Sequence, residues 1–305
     1  MSYLSEDAIE QWLVDQVMQP VGWTPVHGGD IAPGSPGQER ESWTDVVLRG
    51  RLEAAVDRLN PDIPEEARAE AVKQLLRVQS QNLVEDNAAT HRMLIEGCTV
   101  PVYEDGKQLF KAVQFIDFDQ PDANDWAAVR QLTVEQTVSG VQHRRRPDVV
   151  AYVNGIPLVV FELKTVGNEQ ASTKSAWNQL QTYKAEIPSL FRYNGVLVVS
   201  DGVEAVAGSL TAGFEHFAPW KTVDGVPESA AGLPALEVLA RGMTDRARLL
   251  TLIRDHVVFS DERDGLVKRI AKHHQFWAVE RAVASTLAAI DGDGRAGVVW
   301  HTQGS

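Results

Sequence analysis

PDVVAYVNGIPLVVFELKTVGNEQASTKSAWNQLQTY, residues 147–183, is the stretch from which the rest of the chain is read. Two apolar runs, Asp148 to Val153 and Ile156 to Phe161, flank Asn154-Gly155 and predict adjacent strands of a hairpin. Charge falls only at one end of each run. Asp148 opens the first, while Glu162 and Lys164 close the second, so three ionisable groups meet at the same end of an otherwise apolar hairpin. Burying them without a partner is costly, and a divalent cation is a natural partner for the two carboxylates.

The side-chain period of two makes this a question of register. With Asn154-Gly155 as a two-residue turn and uninterrupted pairing, Asp148 and Glu162 face opposite sides of the sheet. With a three-residue loop over 153–155 and Gly155 left-handed, Asp148 faces Val160, and Glu162 becomes its diagonal neighbour on the same face at about 7–8 Å. A shared site therefore requires an odd-residue loop or an added bulge, with Gly155 at positive φ. The carboxylate-x-lysine spacing alone carries little weight, since Asp105-Gly106-Lys107 has it within the polar turn EDGK. Glu162-Leu163-Lys164 differs in ending an apolar strand and in being followed by a predicted helix, 171–184, with Gln179 and Tyr183 one turn apart on one face.

In combination these residues resemble a known family. PD followed by ELK after a hairpin resembles the PD-(D/E)xK nuclease core, and Gln179-x-x-x-Tyr183 resembles the QxxxY extension of type I restriction enzyme R subunits and RecB-like nucleases. FIDFDQPDANDWAAVRQLTVEQ (115–136), VNGIPLVVFELK (153–164), LVVSDG (197–202) and FAPWK (217–221) also resemble the R subunit of type I restriction-modification systems. The resemblance implies an α/β fold with a nuclease-like mixed central sheet flanked by helices over 1–260. Residues 261–305 would then be the lead-in and first strand of a truncated RecA-like motor.

It further implies a Mg²⁺-dependent DNA endonuclease. Asp148 and Glu162 would hold the cation together with Glu10 of the first helix, or Glu6 one turn away. Lys164 would orient the attacking water or stabilise developing charge, and Gln179 and Tyr183 would position the strand or brace the ligands. Gln275, near the start of the last long helix, resembles the adenine-reading Gln of the motor. ATP would be bound only by the full-length subunit, because the sequence given stops at Gly304-Ser305, before a phosphate-loop lysine. Implied partners are double-stranded DNA and the methyltransferase and specificity subunits of a type I complex. A competing function is a non-catalytic assembly module that docks the motor onto those subunits, its carboxylates being structural.

Composition is consistent with a soluble cytoplasmic protein. A length of 305 residues suggests two domains, and 44% hydrophobic with 23% charged residues is ordinary for a globular chain. The single cysteine, Cys98, excludes an internal disulfide and fits a reducing compartment. MSYLSEDAIE has no signal-peptide character, and no apolar run reaches spanning length. The net charge of −13 gives no global footprint for DNA. Arg144-Arg145-Arg146 is a local exception, placed either to hold a phosphate or to neutralise the carboxylates.

Elsewhere, apolar spacing predicts helices over 6–19, 43–59, 63–83 and 85–96, and the Gly- and Pro-rich stretch 24–42 reads as a loop. Strands over 98–104, 107–118 and 126–138 are expected to build a sheet behind the hairpin. Strands 195–200 and 203–207, two short helices within 234–255, a long helix after His273 and a buried strand in AGVVWHTQGS (296–305) complete the reading.

Overall fold

The structure is a computed structural model that describes residues 5–165, 172–290, 292 and 294–299. In chain order the elements are α1 (Glu6–Trp12), β1 (Thr24–His27), α2 (Arg49–Leu59), α3 (Glu65–Leu76), α4 (Leu83–Glu96), β2 (Cys98–Glu104) and β3 (Lys107–Val113). Then come β4 (Trp126–Arg130), β5 (Val134–Val138), β6 (Val141–Arg145), β7 (Val149–Val153), β8 (Ile156–Leu163), α5 (Thr173–Glu186), α6 (Pro188–Phe191) and β9 (Val196–Ser200). The last are β10 (Ala205–Gly208), α7 (Ala235–Met243), α8 (Arg246–Asp255), β11 (Val257–Glu262), β12 (Gly265–Ile270) and α9 (His273–Ile290).

Among the described residues, a six-stranded mixed sheet in the order β1-β4-β7-β8-β9-β10 forms the centre. β7 and β8 pair antiparallel, whereas β8 and β9 pair parallel. Every residue of β7, β8 and β9 is buried, so both faces of the sheet's middle are covered, which explains why these strands read as continuous apolar runs rather than alternating ones. α1 packs against β8, its continuation packs against β4 and β1, and α5 packs against β8 and β9.

Local chemistry accounts for the helices nearest the hairpin. Ser5 caps α1 by accepting the Ala8 N–H, and Glu6 and Asp7 oppose the positive end of the helix dipole. The helix continues as a π-helical turn over Leu13–Met18, buries Leu13, Val14, Val17 and Met18, and stops where Gly22 turns left-handed. α5 opens with a capping box in which Ser172 and Ser175 satisfy each other's backbone N–H.

Several expectations are corrected. Residues 24–42 are not all loop, since Thr24–His27 is an edge strand parallel to β4, where Pro25 is tolerated. The strands expected behind the hairpin divide. β4 joins the central sheet, but β2 with β3 and β5 with β6 form separate two-stranded sheets. The expected buried strand at 296–305 is absent over 296–299, where the chain is irregular and Val298 and Val299 are exposed, and among the described residues no strand pairs with it. Residues 300–305, including Gly304-Ser305, lie outside the described residues. The β11–β12 hairpin spans the expected division at 260/261. Among the described residues no helix is long and apolar enough to cross a membrane.

The hairpin turn is buried, which is uncommon for a two-residue turn. Asn154 and Gly155 both have positive φ, 50° and 74°, as a type I′ turn requires. Asn154 is fully enclosed; its Nδ2 donates to the Phe115 carbonyl at 2.9 Å and to Asn124 Oδ1 at 2.8 Å, and its Oδ1 accepts the Asp125 N–H. Leu48 N–H donates to the Gly155 carbonyl, and a Cβ on Gly155 would lie 2.3 Å from the Leu48 carbonyl oxygen. Gly155→Ala is therefore expected to cost roughly 2–4 kcal/mol through φ strain and overpacking. Urea unfolding checks this, and a wild-type midpoint for the variant would contradict the geometry.

Candidate functional site

The turn has two residues, not the three that a loop over 153–155 would need, and a bulge brings the carboxylates together instead. Val153 pairs with Ile156 and Tyr152 with Pro157, but Ala151 pairs with Val159, leaving Leu158 as the extra residue on β8. The Leu158 carbonyl is satisfied by the Gly195 N–H at 2.7 Å and by Asn194 Nδ2 at 3.3 Å, so the bulge leaves no orphan acceptor there. Beyond the bulge Val149 pairs with Phe161, which sets Asp148 directly opposite Glu162 on the same face.

Asp148 is 7% exposed and Glu162 is 0% exposed, so two like charges would share a nearly dry site. Asp148 Oδ2 accepts the Leu163 N–H at 2.6 Å, which fixes its orientation across the strand pair. Lys164 Nζ donates to Glu162 Oε1 at 2.8 Å, while Glu162 Oε2 is buried with no hydrogen-bond partner among the described residues. An orphaned carboxylate oxygen in such a place is a position at which a cation fits.

Burial, opposed by the Leu163 hydrogen bond and the Lys164 charge, leaves the Asp148 carboxyl raised to about 6. Burial and then the Asp148 charge push Glu162 well above the usual carboxylate range. For Lys164, burial would lower the ammonium, but the Glu162 charge and hydrogen bond outweigh it and the net displacement is upward.

Glu10 is brought to this cluster by α1 and is 1% exposed. Burial raises its carboxyl to about 7 against the lowering effect of Gln131, and the Asp148 charge adds to the rise. Glu6 is only half-buried, yet its charge also bears on Asp148, Glu162 and Lys164. On α5, Gln179 Nε2 donates to the Tyr183 hydroxyl oxygen at 2.6 Å. Burial, then the Glu162 charge, holds the buried Tyr183 phenol above its ordinary range, so at neutral pH it is a hydrogen-bonding hydroxyl beside the carboxylates and not a base.

Among the described residues no three His, Cys, Asp or Glu side chains gather closely enough to cage a metal ion. The donor set is a carboxylate pair with Glu10 at its margin. Such a set suits magnesium, which favours one or two carboxylates and keeps several waters.

The remaining candidates separate. Arg144 pairs with Glu135 and stacks over Trp43, and Arg145 pairs with Glu186, leaving exposed Arg146 as the member whose charge lowers Asp148. Gln275 is not near the carboxylates in sequence or in contact; its Oε1 accepts the Lys272 N–H at the start of α9, and it lines a separate groove of about 1100 Å³ between α9 and β12. Gln131, which nothing in the sequence marks, enters the site unannounced. Its Nε2 lies 2.6 Å from both Glu10 carboxylate oxygens.

The raised carboxyls fix a sign. A group whose pKa is higher folded than unfolded stabilises fully below its unfolded value, and that contribution is lost as pH rises through the folded value, here across about 4 to 7 for Glu10. With divalent ions chelated, Glu10→Gln is thus expected to raise stability by roughly 1–3 kcal/mol at pH 8 and by much less at pH 5. Paired urea titrations at the two pH values measure the difference, and an equal effect at both would refute the buried-charge origin.

Comparison with known sequences gives a consistent result. A sequence model described as the type I restriction enzyme R protein N terminus matches residues 3–216. The chain is 40% identical to the type I restriction enzyme HindI endonuclease subunit of Haemophilus influenzae, over 99% of this chain and 29% of that protein. It is 29% identical to the putative type I restriction enzyme MjaIXP endonuclease subunit of Methanocaldococcus jannaschii, over 99% of this chain and 30% of that protein. The chain thus spans about three tenths of the length of these relatives.

Proposed function

This chain belongs to the family of type I restriction enzyme R proteins, matching their N terminus, and from that premise we propose that it is a Mg²⁺-dependent DNA endonuclease domain with a PD-(D/E)xK-type site. The observation that carries the reading is the pair Asp148 and Glu162, side by side in a dry sheet end, with Lys164 on one Glu162 oxygen and, among the described residues, no partner for the other. A salt-bridged sheet end has no use for a second buried carboxylate, whereas a cation site can use it as a ligand.

Asp148 and Glu162 would hold the ion, with Glu10 beside them. Bound there, magnesium supplies Lewis acidity toward a scissile phosphate and a lowered pKa for attacking water. The protein's own groups do the rest. The Leu163 N–H keeps Asp148 turned toward Glu162, and Lys164, charged and held within the site, donates toward negative charge developing on phosphate oxygens. Gln179 fixes the Tyr183 hydroxyl, and together they orient the strand against the carboxylates. In this reading the nuclease runs on through β12, whose Lys268 is tied to Asn87 of α4, and α9 leads into a RecA-like motor. Gln275 lies where adenine is read, and ATP is bound by the longer protein. Double-stranded DNA and the methyltransferase and specificity subunits are the proposed partners.

The test belongs in the longer subunit assembled with its partners, DNA and ATP. Asp148→Asn and Glu162→Gln are expected to reduce cleavage to background with ATP hydrolysis retained, and Lys164→Ala to lose about 10²–10³-fold. Gln179→Ala, a change in an orienting residue, is expected to lose about 10–100-fold. Full cleavage by the Asp148 and Glu162 variants would leave the docking module as the reading of this region.

A further inference from the structure

Gln131 follows β4 directly and adopts a left-handed backbone, φ 57°, although it is not a glycine. Such a conformation persists only where the surroundings fix it. Three contacts do so here. The Gln131 N–H donates to the Asp148 carbonyl at 2.9 Å, the Gly28 N–H donates to the Arg130 carbonyl at 2.7 Å, and Gly28 lies against the Gln131 peptide so closely that a Cβ there would meet the Gln131 carbonyl oxygen at 2.5 Å. The consequence is that the side chain is delivered to Glu10, with Nε2 placed 2.6 Å from each carboxylate oxygen.

We propose that Gln131 is a positioning residue of the cation site, fixing the Glu10 carboxylate relative to Asp148 through a neutral amide. The inference rests on the cation-binding reading above. One residue touches two of the three carboxylate-bearing segments, through its side chain to Glu10 of α1 and its main chain to Asp148, which precedes β7. The amide's neutrality matters as much as its reach. An amide donor orients a carboxylate while leaving its negative charge available to a divalent ion, whereas a lysine or arginine at the same place would pair with Glu10 and compete with that ion. The left-handed backbone follows from the same need, because an extended residue after β4 would continue the strand direction and not turn the amide toward α1.

Calorimetric titration of the 305-residue chain with Mn²⁺ alone tests this, accompanied by urea unfolding in chelator. Gln131→Gly removes the amide yet accepts the left-handed backbone, so the fold is expected to be as stable as wild type or more so, while Mn²⁺ affinity falls by about 10–100-fold. Gln131→Lys keeps a donor beside Glu10 and is expected to stabilise the chelated protein while also weakening Mn²⁺. A merely structural role would leave the affinity of a well-folded glycine variant unchanged, since glycine adds no charge beside Glu10. Asp148→Asn separates the two levels of the reading. Wild-type Mn²⁺ affinity in Gln131→Gly, with binding lost in Asp148→Asn, overturns the role of Gln131 alone; equal binding or none in wild type and Asp148→Asn overturns the cation site itself.

Discussion

The constraint on which the rest of the structure depends is electrostatic. Two carboxylates stand opposite each other at the end of a sheet whose middle strands are wholly buried, and a third is brought in by α1. Burial is the main cause of the upward displacement of all three carboxyls, and the Asp148 charge adds to it for Glu162 and Glu10. Among the described residues the compensation is incomplete. Lys164 serves one oxygen of Glu162, the Leu163 N–H serves Asp148, Gln131 serves Glu10, and Glu162 Oε2 is left over. A fold selected for stability alone would place apolar side chains there, and in the proposed reading a bound cation supplies the missing charge.

Holding that arrangement requires a hairpin whose two ends do different things. At its closed end the Asn154-Gly155 turn is enclosed by the 115–125 segment and by Leu48, so the strands cannot slip. At its open end the pairing must bring Asp148 and Glu162 to one face, and Leu158 supplies the one-residue shift between them. The shift is tolerated because the parallel neighbour β9 is preceded by Asn194 and Gly195, which take up the Leu158 carbonyl. Asn194 is fixed in turn by Lys268 of β12, whose buried ammonium donates to the Asn194 carbonyl and to Asn87 of α4 at 3.0 Å. A strand late in the chain thus helps to fix the start of β9, beside the strand that carries Glu162.

The parts of this that could be read from sequence are those carried by local pattern. The apolar runs of β7 and β8, the helix placing Gln179 next to Tyr183, and the need for some odd-numbered interruption all follow from periodicity. Which interruption occurs does not, because Leu158 is an unremarkable residue within an apolar run, and its bulge is set by Asn194 and Gly195 across the sheet. β1 was hidden for a different reason. Thr24–His27 is short, contains proline and lies in a Gly-rich stretch, and it is a strand only because β4 offers it a parallel edge. Gln131 was invisible because its role depends on a backbone conformation imposed by Gly28, far away in sequence and adjacent in space. The 296–299 segment differs in the opposite direction, since its apolar residues suggest burial but Val298 and Val299 are exposed.

The charge distribution bears on how such a site would be used. With a net charge of −13 the chain repels a polyanion at long range, and its basic triplet does little to reverse this, since Arg144 and Arg145 are committed to Glu135 and Glu186. Arg146 and Lys164 remain on the side of the carboxylates, enough to receive one phosphate but not to grip a duplex. In the proposed reading, the region therefore depends on other parts of a longer protein or complex to bring DNA to it. That dependence separates chemistry from capture. In that reading, a site that holds its carboxylates ready but attracts DNA poorly would act where a strand is delivered, and cleavage would be confined to that circumstance.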